Sequence, residues 1–510
     1  KRVLHMNRIS WMALAAIALL LAGCGSTPKY TASKIRAEYR QISETPSKKQ
    51  PRKDKDQRIQ PPDASDDASD TDPAFPLTLP QVIDITLSDN PDLEQAIHRM
   101  AKAKAMKDLA DTAFWPMVGF YTEYTQGDAP SAYLFKTIDQ RKLPPDVNFN
   151  DPGWFENYES GIQARMNLFN GGKDYLGLQM AKQEVDISES DRQSVVNDLT
   201  AQVINAFYDV LAAEDFVAIA ETSVDTVTEQ LRIIRVQYEG GSALKSDVLS
   251  LKVRLARAKE ALVQSRNRYK LAKAALANLM GMDPGKFSER KNWLAKTKTP
   301  PIQVPDAYED GIMHALSHRP ELEKVRKQLV KSRMGLDAAK TNYLPSIDLM
   351  GKYYVDDPSM DYDRDRENWT AGVMFNWDLF TGFSTQARIN KADAMVKEML
   401  AADRQATLNI KLDVKNAYLK REAAQARYEV AASSVDNAES SYQLVKEHYR
   451  GGAVTITRYL EAELDRNRAR IRSTAAFYDK IKADADLARA IGKWAGRNPQ
   501  PYEGSHRHED

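Results

Sequence analysis

Two histidines have the spacing of a metal site. His314 and His318 are four positions apart on a predicted helix, so both imidazoles would lie on one face, as metal ligands can. No third ligand is evident near them, and a structural role for the pair is the favoured interpretation. The polar tail 506–510 could hold a metal only adventitiously. Because the chain also lacks a phosphate-binding loop and a recognisable nucleophile motif, we predict no catalytic residue, no metal and no cofactor.

The one cysteine has chemistry of its own. Basic residues precede the apolar run Trp11–Leu21, which is followed by Ala22-Gly23-Cys24. This pattern predicts a signal peptide over residues 1–23 rather than a membrane-spanning helix. Small residues before Cys24 would present its thiol for acylation, and the motif resembles the bacterial lipoprotein box, so we expect a lipid there, palmitate included. An ordinary signal peptide with a chance cysteine is the alternative, and Met6 is an alternative start.

Composition excludes several classes of protein. Lys and Arg number 72 and Asp and Glu 71, so a net charge of +1 leaves no global field to recruit nucleic acid. A mean hydropathy of −0.55 argues against a bundle of membrane helices. Residues 26–73 contain few large apolar side chains, which predicts that the lipidated segment 24–76 is a flexible tether. Gly25 after the cysteine indicates sorting to the outer membrane, by resemblance to other lipoproteins.

Comparison of the chain with itself shows a duplication. Asn90-Pro91-Asp92-Leu93 matches Arg319-Pro320-Glu321-Leu322 at an offset of 229 residues. Beyond one loop the offset becomes 211, as in the match of Tyr238-Glu239-Gly240-Gly241 with Tyr449-Arg450-Gly451-Gly452. The difference of 18 predicts extra sequence in one loop of the first repeat, between about residues 125 and 158. The predicted domains are a first repeat (77–285), a linker (286–305), a second repeat (306–493) and a disordered tail (494–510).

Each repeat contains a long segment with a heptad pattern. Apolar residues alternate steps of three and four from Val196 to Tyr238, and again from Ile410 to Tyr449 with one break at Arg421. Such a repeat is typical of helices that supercoil on their neighbours. A helix from about Lys173 to Tyr238 would be about 100 Å long at about 1.5 Å per residue. A glycine pair ends each rod, and residues 246–280 and 457–491 are predicted to be returning helices.

Each repeat is also predicted to begin with a short helix. Between that helix and the long helix, the apolar residues recur with a period of two. Residues alternate between apolar and polar from Tyr158 to Leu168 and from Trp369 to Leu379, and shorter alternations cover 118–124 and 347–353. One apolar face with aromatic ends is typical of a tilted transmembrane β-strand. A soluble sheet packed on a core is the alternative. The apolar heptad positions of the helices pack against one another, however, so little other sequence remains to cover the apolar face of the sheet.

Four strands are too few to close a barrel, and an open sheet edge cannot stand in hydrocarbon. Several chains must therefore share one barrel. Two chains would give eight strands with a filled interior, whereas three give twelve and can leave a lumen. We predict an α+β membrane protein made of duplicated helix–strand–strand–helix repeats, with a long coiled-coil α-barrel and a trimeric twelve-stranded transmembrane β-barrel.

This ordered set of motifs resembles the TolC-like outer-membrane factors of lipoprotein type, the exit ducts of tripartite efflux pumps and type I secretion systems. The resemblance covers roughly Leu77 to Lys493 and is carried by the duplicated Asn90–Leu93 motif, the turn Leu168–Gly172 and the Tyr-x-Gly-Gly tips. It implies a homotrimer in the outer membrane whose helical tube lies in the periplasm. The implied partners are a periplasmic adaptor protein, an inner-membrane pump and outer-membrane lipid, with no nucleic acid.

The resemblance implies that the adaptor docks at the two hairpin tips. The alternative is that the tip residues only form the turns. The tip residues are Gly240, Gly241, Ser242, Gly451, Gly452 and Ala453. Where the family commonly has two aspartates just past the second tip, this chain has Arg458 and Glu461. A ring of three Arg458 side chains at a narrow mouth would need carboxylates nearby, which Glu461 or Asp247 could supply. A local pair of Arg458 with Glu461 on a solvated helix is the alternative to such a gate.

A structural coiled-coil lipoprotein without a pore is the alternative function. The strands discriminate between the two, because a purely structural rod needs no strand hairpins with aromatic ends. A periplasmic enzyme would require a concave polar site, and no such site is evident in the sequence.

Overall fold

The computed structural model describes residues 76–287, 293–296, 302–361 and 364–497. The predicted signal peptide, Cys24 and nearly all of the predicted tether lie outside the described residues, as does most of the predicted tail. The domain limits drawn from the sequence stay predictions.

Apart from one additional helix in the first repeat, α3 (Pro130–Asp139), both repeats fold into the same succession of elements. Those of the first repeat are α1 (Leu79–Asp89), α2 (Pro91–Asp111), β1 (Met117–Gly127), α3 (Pro130–Asp139), β2 (Phe155–Phe169), α4 (Lys173–Glu239) and α5 (Lys245–Leu279). A short helix, α6 (Pro284–Phe287), follows. Those of the second repeat are α7 (Tyr308–His318), α8 (Pro320–Lys340), β3 (Ser346–Asp357), β4 (Glu367–Asn376), α9 (Ser384–Arg450) and α10 (Ile456–Ala490). Single 3-10 turns over Thr112–Phe114, Thr341–Tyr343 and Arg364–Arg366 precede β1, β3 and β4.

The predicted duplication is confirmed by the lengths of the elements. Helices α2 and α8 both have 21 residues, α4 and α9 both have 67, and α5 and α10 both have 35. The loop between β1 and β2 has 27 residues (128–154), whereas that between β3 and β4 has nine (358–366). The extra loop sequence therefore lies where it was predicted. Its folding into a helix, α3, was not foreseen.

Matching hydrogen bonds join the start of each repeat to its last helix. The Asn90 side-chain amide donates to the Leu279 carbonyl at 2.8 Å, and the Arg319 guanidinium donates to the Ala490 carbonyl at 2.9 Å. Asn90 also caps α2, because its side-chain oxygen accepts from two backbone amides of the first turn. Each last helix ends within hydrogen-bonding distance of the same point in its own repeat.

A glycine follows each last helix for two reasons. Gly281 and Gly492 have φ values of 71° and 78°, in the left-handed region that side chains disfavour. A Cβ at Gly492 would also lie 3.0 Å from the His318 carbonyl oxygen, and one at Gly281 would overlap the Asp89 carbonyl. The backbone therefore leaves no room for a side chain at Gly281 and little room at Gly492.

The heptad seams pack as predicted over much of their length. Val196, Val203 and Val210 of α4 are buried in a core that also contains Leu276 of α5 and residues of α1. In the second repeat, the seam breaks at Arg421 because its guanidinium bonds to Asp484 Oδ1 at 2.8 Å and to Asp306 Oδ1 at 3.2 Å. The break is thus a polar link between α9 and α10. A second core joins the four long helices near the hairpin tips.

The four strands form one antiparallel sheet in the order β1-β2-β3-β4. All four predicted strands are confirmed, except that β4 ends at Asn376 and not at Leu379. One face of the sheet is apolar and uncovered, and Phe120 and Trp369 on it are each 75% exposed. Among the residues that the structure describes, no helix combines the length and the apolarity needed to cross a membrane.

Candidate functional site

The polar face of the sheet carries a network of charged and aromatic side chains near the loop-bearing end. The Tyr121 hydroxyl donates to Glu159 Oε1 at 2.7 Å, and the Lys352 ammonium forms a salt bridge with the same carboxylate. This ammonium also lies 4.9 Å from the centre of the Tyr121 ring and 4.4 Å from that of Tyr354. The network joins three strands on the face opposite Phe120 and Trp369.

The loop helix α3 is tied to this polar face. The Lys136 ammonium donates to Glu159 Oε2 at 2.8 Å and to Asp356 Oδ1 at 3.0 Å. Burial alone would lower the pKa of Lys136, but hydrogen bonds to the two carboxylates raise it above its ordinary value. Lys136 therefore stays charged at neutral pH and holds α3 to β2 and β3.

Large apolar side chains are exposed where the strands meet the long helices, a distribution typical of membrane interfaces. They are Trp115, Met117, Trp377, Leu379, Phe380 and Phe383. Phe383 has a φ of 64°, at the position where the first repeat has Gly172 with a φ of 83°. The left-handed conformation disfavours a side chain, so the phenyl ring is present against the local backbone preference.

Each hairpin tip is a Schellman turn. The Ser242 amide donates to the Gln237 carbonyl at 2.8 Å, and the Ala453 amide donates to the His448 carbonyl at 2.8 Å. Gly241 and Gly452 supply the left-handed residue, with φ values of 77° and 73°. The predicted glycine caps are therefore confirmed as turns.

The turn does not require the other glycine of each tip. Gly240 and Gly451 have φ values of −81° and −79°, which any residue can adopt. A Cβ at either position would come no nearer than 3.4 Å to the neighbouring carbonyls. Both glycines are exposed. A role as turn residues thus explains Gly241 and Gly452 but not Gly240 and Gly451.

The three predicted gate residues lie close to the tips and have local partners. Arg458 and Glu461 on α10 form a salt bridge of 3.4 Å, and their side chains are 54% and 58% exposed. Asp247 accepts from the Leu244 backbone amide at 3.3 Å and so caps the start of α5. Each of the three charged side chains thus has a partner within its own chain. Among the described residues, Glu461 is the one carboxylate that pairs with Arg458.

One further link near the tips joins the hairpins of the two repeats, and another joins α9 to α10 within the second hairpin. Arg254 on α5 donates to the Leu460 carbonyl at 2.8 Å and pairs with the buried Glu463 at 3.1 Å. The hydroxyls of Tyr442 and Tyr459 are 3.0 Å apart. Burial, followed by the hydrogen bond with Tyr442, raises the pKa of Tyr459, so this hydroxyl stays protonated. The tips of one chain are held together as a unit.

His314 and His318 lie on one face of α7, as their spacing predicted. Their rings stack with centroids 4.1 Å apart. His314 Nδ1 is 2.9 Å from the Ile491 carbonyl oxygen, and His318 Nδ1 is 3.0 Å from the His314 carbonyl oxygen. Within the described ranges, no group of three or more potential metal-binding side chains is present. These contacts favour the structural interpretation of the pair.

The sequence model of the outer membrane efflux protein family matches residues 82–282 and 311–493, one match to each repeat. The chain belongs to this family. The resemblance to TolC-like outer-membrane factors is confirmed, and members of the family are channels and transport ducts.

Similarity to characterised members extends over most of their lengths. Protein CyaE of Bordetella pertussis is 24% identical over 399 residues, which are 78% of this chain and 80% of CyaE. The pyoverdine export outer membrane protein OpmQ of Pseudomonas putida is 21% identical over 429 residues, which are 82% of this chain and 87% of OpmQ. The Campylobacter jejuni CmeC outer membrane channel superposes with a TM-score of 0.72 at 17% identity, over 82% of this chain and 87% of CmeC. The predicted fold is thereby confirmed.

Sequence reasoning missed the contacts around α3. Lys136 lies in the loop of extra length, which has no counterpart in the second repeat to align with it. Glu159 and Asp356 were recognisable as acidic residues at polar positions of strands, where a charge requires a partner. That signal points to a cation but does not say which element supplies it.

Proposed function

We propose that the chain is the outer-membrane exit duct of a tripartite efflux or type I secretion system. The observation that carries this proposal is the joining of a four-stranded sheet, whose apolar face is uncovered, to two helices of 67 residues each. An uncovered apolar face suits lipid, and the sheet's open edges require strands from other chains. The duct passes substrates from a periplasmic adaptor and pump to the exterior.

We infer a homotrimer, because twelve strands close a barrel with a lumen whereas eight leave it filled with side chains. The polar face with Glu159 and Lys352 then lines the lumen, and the face with Phe120 and Trp369 contacts lipid. The similarity to OpmQ, which is named for pyoverdine export, and to the CmeC outer membrane channel supports a transport role.

The adaptor docks at the hairpin tips. Support comes from Gly240 and Gly451, which are exposed glycines with ordinary helical φ values, so the turn itself gives no reason for them. A glycine without a conformational role lets another backbone approach closely. Arg458, Glu461 and Asp247, next to the tips, are proposed to form the periplasmic gate.

A lipid on Cys24 anchors the chain to the outer membrane in addition to its barrel. The support is the small-residue motif before the only cysteine of the sequence. Mass spectrometry of the purified N-terminal peptide should find an acylated cysteine, and an unmodified thiol would contradict the anchor without affecting the duct.

The duct is tested by reconstituting the purified full-length protein in planar bilayers. We expect a detergent-stable trimer that conducts ions in discrete steps. A monomer that is soluble without detergent and makes no channels would contradict the proposal and would favour a structural rod. Loss of efflux in cells that lack the protein, restored by the parent gene, provides the cellular control.

A further inference from the structure

We propose that α3 is a constriction at the outer exit of the barrel, where three copies meet and limit the size of what can leave. This inference rests on the proposed trimeric duct. It assigns a role to the 18 residues by which the first repeat exceeds the second, and these residues have no part in closing the barrel or in docking an adaptor.

Every side-chain anchor of α3 lies on the polar face of the sheet. Lys136 binds Glu159 and Asp356, which are opposite each other in the pairing of β2 with β3. Gln140, the residue after α3, donates to Asn157 Oδ1 at 2.9 Å. Asn157 is two residues from Glu159 and so shares its face.

A third anchor reaches β4. Arg141 donates to Asn368 Oδ1 at 3.2 Å, and Asn368 is next to the lipid-facing Trp369, so its side chain is on the polar face. The end of α3 is therefore fixed to β2, β3 and β4 from the side that faces the lumen in a closed barrel. The helix lies inside the ring of strands at the end that bears the loops.

Gln140 and the side chains that bind Lys136 and Gln140 are buried, whereas Arg141 is exposed. Glu159 is 5% exposed, Asp356 0%, Gln140 2% and Asn157 1%. Lys136 is the ammonium partner of the fully buried Asp356, and undocking α3 would leave this carboxylate without that charge, which is costly for a buried ion. The docked position of α3 is therefore a built part of the fold and not a passing contact of a surface loop.

The opposite side of α3 is apolar and uncovered. Successive helical residues are rotated by about 100°, so Lys136 and Gln140 share one face while Phe135 and Ile138 point away from it. Phe135 is 65% exposed and Ile138 42%. With its anchored side on the barrel wall, α3 turns these two residues toward the barrel axis.

The dimensions of a twelve-stranded barrel bring the three copies together. Strands about 4.8 Å apart and tilted by about 40° close a backbone ring of about 12 Å radius. A helix with its side chains is about 10 Å across, and three such helices in mutual contact need a ring of about 11 Å radius. The apolar side of each α3 therefore packs against α3 of the other two protomers, and the side chains of Phe135 and Ile138 form a ring at this contact.

A disulfide tests whether the copies meet. Phe135→Cys is made in a Cys24→Ser background, so the introduced thiol is the only one in the chain. Cross-linking requires Cα atoms within about 7 Å. We expect mild oxidation of the trimer to give a covalent dimer band on denaturing gels and a lower single-channel conductance that recovers on reduction.

Val118→Cys in the same background is the matched control. Val118 is also 65% exposed but lies on the lipid-facing side of β1, where three copies on a ring of about 12 Å radius are about 20 Å apart. It should neither cross-link nor alter the conductance on oxidation.

A trimer that conducts but forms no Phe135→Cys disulfide would overturn the constriction and leave the duct intact. A chain that is neither trimeric nor conducting would overturn the duct itself. As a second measurement, Phe135→Ala with Ile138→Ala should allow larger neutral polymers to enter the pore from the outer side. The same size limit as in the parent would count against the constriction.

Discussion

At the scale of single residues, Arg458 is the side chain that departs most from the expected charge of the periplasmic mouth. It pairs with Glu461 at 3.4 Å, and an exposed pair of this kind contributes only about 0 to 1 kcal/mol. Three symmetric copies between protomers could nevertheless bias a marginal closed state, because charges at a narrow aperture act together.

Under the gate hypothesis, Arg458→Glu replaces three cations at the mouth by three carboxylates. We expect a higher single-channel conductance and a shift toward cation preference, and Glu461→Ala should also loosen closure. Arg232→Glu is a matched control, because Arg232 belongs to an exposed pair of the same spacing with Glu229, on α4 and not on α10. Bilayer recordings equal to the parent for both gate variants would show that the pair is a solvated helix contact.

At the scale of elements, the two tips have the same turn and the same unexplained first glycine. Gly240→Ala combined with Gly451→Ala adds two methyl groups without backbone strain, since both residues have helical φ values. If the adaptor approaches the backbone there, efflux should fall while the trimer keeps its thermal stability. A bulkier change, Ser242→Arg or Ala453→Arg, should abolish transport.

Gly241→Ala serves as the comparison for the turn itself. Its φ of 77° is unfavourable for a side chain, so this variant should lose about 1 kcal/mol of stability. Normal efflux from the Gly240→Ala and Gly451→Ala double variant would leave the tips with a purely structural role. Efflux by resistance assays and melting in detergent measure the two effects separately.

The limits of the long helices could be predicted to within a residue because each helix occurs twice in the sequence, once in each repeat, so the two copies can be compared. Helix α4 was expected from Lys173 to Tyr238 and ends at Glu239. Strand β4 was predicted to extend to Leu379, since Trp377 and Leu379 continue the alternation, but these side chains lie beyond its last pair, Asn376 with Ser346. Alternation records which face is apolar, and an interfacial belt continues that pattern past the last ladder hydrogen bond.

The position of α3 could not be predicted for a different reason. Its anchors are separated in sequence by up to 227 residues, as for Arg141 and Asn368, and only one repeat contains the helix. Local periodicity has no information on such contacts. The unpaired acidic positions of β2 and β3 are the one sequence signal that could have suggested them.

At the scale of the whole molecule, a cluster of charges ties the second repeat to the first. Asp413 accepts from Arg319 at 2.8 Å and from Arg489 at 3.0 Å, and Arg489 also lies 3.6 Å from Asp198 of α4. Burial raises the pKa of Asp413, but the bonds and charges of the two arginines outweigh burial and lower it below its ordinary value. Burial, followed by the charge of Glu321, raises the pKa of Asp198.

The two aspartates should therefore respond oppositely to substitution. A carboxylate whose pKa is lowered by folding stabilises the protein above its unfolded pKa of about 3.9, and this contribution is lost as the pH falls through the lower folded value. Asp413→Asn should cost about 1 to 3 kcal/mol at pH 7, and the deficit should shrink below about pH 4. Asp198→Asn should cause no loss at pH 7, because folding already favours its protonated form. Melting in detergent across this pH range decides between them, and equal losses would contradict the assignment.

Because both repeats are encoded on one polypeptide, the duplication affects how mutations can change the helical tube. In the proposed trimer, three chains would present six similar helical hairpins, yet the two hairpins of each chain are encoded separately, in codons that mutate independently. A substitution therefore alters alternate hairpins of the tube and leaves the other three as they were. The two repeats differ in this way at Phe383, which stands where the first repeat has Gly172, and in the unequal loops after β1 and β3. A single substitution can thus change the surface of three hairpins of the tube while the other three keep their original surface.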